Sequence, residues 1–110
     1  MKILSNIDFD SNSLFRPAWS IKTVSSAYEI VPATDEFIFC NASAGSFSVS
    51  LPSAIGINGI GYTIKKVDNT SNPITVLPVN PETIDGNSQQ IIKNKNALKI
   101  VSDGSNWYVV

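Results

Sequence analysis

The chain has 110 residues, 43% of them apolar, and a net charge of −1; that is one domain with a modest core, or one domain plus a tail. Near-neutral charge and scattered lysines leave no footprint for nucleic acid, and no apolar run approaches the roughly 20 residues of a membrane-spanning helix. With no His and a single Cys, the chain lacks the commonest general base and metal ligand and cannot close an internal disulfide.

Residues 1–19 read as an extended N-terminal arm. Large apolar residues (Ile7, Phe9, Leu14, Phe15 and Trp19) stand among Asn, Ser and Asp with no helical period. Arg16-Pro17 opposes a helix there. Aromatics on such a segment serve as anchors on another protein, so these five residues are the expected docking contacts. Met1-Lys2-Ile3-Leu4 is broken at once by polar residues, which gives no signal peptide and points to synthesis in a cytoplasm.

From Trp19 onward the pattern is β, and residues 20–110 form the predicted domain. Tyr28-Glu29-Ile30-Val31 is a short strand stopped by Pro32. Glu36-Phe37-Ile38-Phe39-Cys40 is apolar on both faces, so it should be covered on both, with Cys40 a buried thiol. In Ser46-Phe47-Ser48-Val49-Ser50-Leu51 the apolar residues alternate with serines, the mark of a half-buried strand ended by Pro52. The glycines of 54–61 make a loop, and the strand after it turns Tyr62 and Ile64 inward and Thr63 and Lys65 outward. Residues 68–73 are a polar turn before the strand Ile74-Thr75-Val76-Leu77. Pro78 and Pro81 bracket a bend. Thr83-Ile84 meets the tight-turn pair Asp85-Gly86. Short strands at 89–92 and 98–101 precede Asp103-Gly104, a closing hairpin, and the strand Trp107-Tyr108-Val109-Val110. The prediction is an all-β, compact sandwich or barrel-like domain of seven to nine short strands. Leu51, Tyr62, Ile64, Ile84 and Trp107 form its core or its oligomer contacts, and Tyr108 faces outward.

Four segments stand in order: Leu51-Pro52-Ser53-Ala54, Gly61-Tyr62-Thr63-Ile64-Lys65-Lys66-Val67-Asp68, Glu82-Thr83-Ile84-Asp85-Gly86 and Val101-Ser102-Asp103-Gly104-Ser105-Asn106-Trp107-Tyr108. Together they resemble the C-terminal β domain of bacteriophage fibre proteins, from tails and sometimes heads, over residues 28–110. The start of the chain also looks like that of some phage appendage proteins. The resemblance implies a virion structural protein that assembles as a symmetric oligomer, commonly a trimer, on capsid or tail proteins. No shaft separates arm from domain, so a short head fibre, decoration protein or adaptor fits better than a complete tail fibre. The alternative is a tip that binds host-surface glycan.

No catalytic, metal or cofactor motif emerges. Asp8-Phe9-Asp10-Ser11-Asn12 begins like a calcium loop, but Ser13 and Trp19 occupy the positions that need Gly and Glu. Residues 56–61 are Gly-rich without the Lys-Ser/Thr of a phosphate loop. Asp35, Glu36, Glu82, Asp85 and Asp103 could supply a glycosidase pair, yet turn duty accounts for them. A Ser nucleophile would lack a His partner. The expectation is a protein that binds and assembles, with no enzyme activity. Its binding groups would sit on the loops at 54–61 and 68–73.

Overall fold

A computed structural model describes residues 18–110 of the chain. Among these residues there are nine strands and no helix. They are β1 (Ile21–Val24), β2 (Tyr28–Glu29), β3 (Phe37–Cys40), β4 (Phe47–Ser50), β5 (Gly61–Lys66), β6 (Ile74–Leu77), β7 (Gln90–Ile92), β8 (Ala97–Ser102) and β9 (Trp107–Val109). A five-stranded sheet runs β1-β3-β5-β8-β9, and a four-stranded sheet runs β2-β4-β6-β7. The all-β domain expected as a sandwich or barrel-like fold of seven to nine strands forms with nine strands in two sheets.

The winding is specific. From β1 to β6 the chain alternates between the sheets, and every pair in this stretch is parallel. Ile21 sits beside Phe37 and Phe37 beside Thr63; Val49 sits between Tyr28 and Val76. The molecule is thus a short flattened coil. The polar segment 68–73 and the glycine loop 54–61 are corners that pass between the sheets, not hairpin turns. β7, β8 and β9 then close it antiparallel. Asp85 and Gly86 have φ of 51° and 82°, both left-handed as a tight two-residue turn demands, and Ile84 bridges Asn87 across it.

Side-chain alternation fills the space between the sheets. Ile38, Cys40, Ile64, Ile100 and Trp107 from the first sheet meet Val49, Ile74 and Val76 from the second, all fully buried, with Tyr62, Leu51, Ile84 and Ile92 completing the cluster. Burial, then the negative field of Asp68, pushes the Cys40 thiol up to about 12. The rings of Tyr62 and Trp107 lie 5.8 Å apart and tilted. Neither the Tyr62 hydroxyl nor the Trp107 Nε1 finds a partner among the described residues.

One buried side chain departs from the apolar pattern. Lys66 follows Tyr62 and Ile64 on the inward face of β5 and is fully buried. Its Nζ donates to Asp68 at 2.6 Å and to the Thr70 carbonyl at 2.8 Å. Asp68 also accepts the N–H groups of Ala42 and Thr70 and the Thr70 hydroxyl, and Asn72 bonds the Ala42 carbonyl. This network pins the corner after β5 to the corner after β3. Burial alone would raise the Asp68 carboxyl, but the bonds from Lys66, Thr70 and the Ala42 N–H outweigh it and hold it well below the usual range.

Candidate functional site

The two outer faces of the sandwich differ in chemistry. On the four-stranded sheet the outward side chains are mostly polar, Ser48, Ser50 and Thr75, with Leu77 and Ile91 as aliphatic members and no aromatic ring in those rows. On the five-stranded sheet the register builds another surface. Ile21, Phe37, Thr63 and Lys99 form one row, and Thr23, Phe39, Lys65 and Ala97 the next. Gly61, Val101 and Tyr108 continue the face toward the other end.

Apolar side chains gather at its two sides. Around β1 and β3, the Trp19 ring stacks on Phe37 with centroids 4.8 Å apart and planes 16° from parallel. Ile21 adjoins them and Phe39 follows. Around β8 and β9 stand Val101, Tyr108 and Val110. Trp19 is 68% exposed, Ile21 56% and Tyr108 46%. Between the two groups runs a polar band of Thr63, Lys65 and Lys99.

The sequence of β3 calls for cover on both faces. Among the described residues Ile38 and Cys40 are sealed, but Phe37 and Phe39 are only half-buried, and the Trp19 ring over Phe37 is itself mostly bare. Strands paired in parallel are ordinarily covered on both sides, and contiguous exposed apolar surface marks interaction sites. This face is the candidate site.

The other expected positions resolve as follows. Leu51, Tyr62, Ile64, Ile84 and Trp107 all lie in the core, and none reaches the outer face. Tyr108 points outward beside Val101. Ile7, Phe9, Leu14 and Phe15 of the expected arm, and the calcium-like run from Asp8, lie outside the described residues. Trp19 belongs to the domain as much as to an arm. Next to it the Ser20 N–H donates to Glu36 Oε1 at 2.5 Å, and the Ser20 carbonyl accepts the Phe37 N–H.

The carboxylates considered for hydrolysis are each engaged in hydrogen bonds, Glu36 with the Ser20 N–H. Asp35 accepts the Tyr28 hydroxyl at 2.5 Å and the Val31 N–H, and that bond pushes the Tyr28 phenol up to about 12. Glu82 accepts the Ser53 hydroxyl and the Ala54 N–H. Asp85 accepts the Val109 N–H, and Asp103 those of Ser105 and Asn106. No group of three or more His, Cys, Asp or Glu gathers among the described residues in a way that could hold a metal ion. Of the two expected binding loops, 54–61 shows Ile55 and Ile60 to solvent, while 68–73 is largely committed to the Lys66–Asp68 network.

Sequence reasoning placed Tyr108 outside but did not assemble the face. Its members come from β1, β3, β8 and β9, and only the strand order brings them together. The signal within reach was Phe37-Ile38-Phe39, whose outward rings stay only half-buried among the described residues. No family model matches the chain, and no curated protein does either.

Proposed function

We propose that this chain is a structural component of a bacteriophage virion. It is a short head-fibre, decoration or appendage protein that assembles as a symmetric oligomer, most simply a trimer, and attaches through its N-terminal arm. The observation that carries the assembly part of this reading is the aromatic outer face of the five-stranded sheet, where Trp19, Ile21 and Tyr108 are exposed and Phe37 is half-buried beneath Trp19. Two separate apolar groups flank a polar band on that face. The fibre-type segments from Leu51 to Trp107 and the apolar residues of 1–17 support the same role. The chain acts by binding and assembly.

Removal of residues 1–17 tests the attachment. Trp19 stays in this variant because its ring rests on Phe37. The shortened chain is expected to fold, by circular dichroism and thermal melting, and to be missing from purified particles that incorporate the full chain. Incorporation at the full-length level, or collapse of the fold, contradicts the proposal.

A further inference from the structure

The edge of β1 is open to another strand among the described residues. The Ser20 and Val24 carbonyls bond β3, to the N–H groups of Phe37 and Asn41. Alternation then turns the N–H and C=O groups of Ile21 and Thr23 away from β3, and no described strand lies beyond them. At the opposite edge of the sheet the situation differs. The Trp107 N–H and carbonyl are taken by Thr83 and Asp85, and the Val109 N–H by the Asp85 carboxylate. Natural sheets cover or blunt an edge of this kind. β1 carries no Pro, and its one charge is Lys22.

The side chains of β1 specify what fits. Ile21 and Thr23 face outward beside Trp19 and Phe37. Lys22 faces the other way, its Nζ 5.9 Å from the centre of the Tyr28 ring. The one salt bridge among the described residues is Lys66–Asp68, so no described carboxylate pairs with Lys22. The matching strand has apolar side chains on one face and acidic ones on the other. Ile7-Asp8-Phe9-Asp10 of this chain has that alternation. Laid along β1, it puts Ile7 and Phe9 on the aromatic face and Asp8 and Asp10 beside Lys22.

We propose that residues Ile7–Asp10 of a second copy add as a strand to the open edge of β1, so that exchanged arms link the copies of the oligomer. This rests on the assembly reading above and names its contact. The ten residues between Asp10 and Ile21 span up to roughly 35 Å when extended, enough to reach a neighbour. Pro17 favours extended backbone at Arg16. Trp19 and Ile21 share the outer face, so the chain enters β1 already extended. Exchange of an element between identical copies closes the edge and joins the copies in one step. Leu14 and Phe15 stay available for the virion.

The test uses two full-length variants, Phe9→Cys and Ile21→Cys, co-expressed with tags of different size and treated with a short bis-maleimide. Cys40 is fully buried with a raised pKa and remains unlabelled in the folded protein. The expected product is a covalent pair containing one chain of each tag, more abundant than any pair formed by either variant alone. In a double variant carrying both cysteines, linkage confined within single chains overturns the exchange, as does an absence of linkage. Lys22→Glu is expected to shift the mass in solution toward monomer, and Asp8→Lys/Asp10→Lys in the same chain to restore the oligomer. An oligomer that persists without the Phe9–Ile21 linkage overturns this strand and leaves the assembly reading standing. A monomeric wild-type chain removes both.

Discussion

Trp107→Ala is expected to destabilise the domain by about 3–5 kcal/mol, the usual result of removing a buried Trp. That is a large share of a domain's total margin of roughly 5–15 kcal/mol. The ring is fully buried where the last strand closes the sandwich. Its backbone also ties β9 to Thr83 and Asp85, so the cavity would open beside a junction of three segments. Trp107→Phe should be milder than Trp107→Ala. It keeps most of the apolar volume and removes an indole N–H that has no described partner, a group that costs about 1–3 kcal/mol when left unpaired in a core. Tyr108→Ala should leave folding almost unchanged and weaken assembly. Urea unfolding of the three variants measures the order. A Trp107→Ala effect within about 0.5 kcal/mol, the range of an ordinary surface site, contradicts the packing described.

Breaking the buried ion pair is the second large effect. Lys66→Met is expected to cost about 3–5 kcal/mol, because it removes one partner of a sequestered pair. Asp68→Asn should be worse than Lys66→Met, since it leaves a fully buried ammonium with neutral oxygens and no counter-charge. The double variant should cost less than the sum of the two, because no uncompensated charge remains. The pH dependence has a definite sign. Asp68 titrates lower in the folded chain than its unfolded value of 3.8. Its stabilisation is therefore complete well above that value and drains away as pH falls through it and below. Urea midpoints of the wild type should decline as pH falls from 5 through 3.8 and below, while those of Asp68→Asn lack that part of the decline. Equal acid sensitivity of the two proteins contradicts the role given to Asp68.

The parts of this architecture that could be read from sequence are those decided by neighbours along the chain. The serine alternation from Ser46 to Leu51 becomes β4, with Val49 inward. Tyr62 and Ile64 turn in while Thr63 and Lys65 turn out. Asp85-Gly86 makes its turn because Gly accepts the left-handed backbone without steric cost. Pairing could not be read in the same way, since alternation is identical in parallel and antiparallel strands. Nothing in Tyr62–Val67 says that it lies beside β3 and β8. The corner at 68–73 therefore looks like a simple turn until Lys66 is found inside it. That lysine had a signal of its own, because it continues the inward period of Tyr62 and Ile64; its charge hid it. The candidate face stayed hidden for the same reason as the pairing. Its two apolar groups are distant in sequence and meet only through the strand order. Trp19, the last residue of the expected arm, rests its ring on Phe37, a contact that composition along the chain does not reveal.

Multi-angle light scattering on the full 110-residue chain at micromolar concentration, in moderate salt, tests the central claim most directly. The account predicts a single oligomeric species, with three copies as the expected number, whose mass falls toward monomer when Trp19 and Ile21 are both replaced by Ser. A clean monomer for the unaltered chain would contradict it, since the aromatic outer face would then be an ordinary solvent surface.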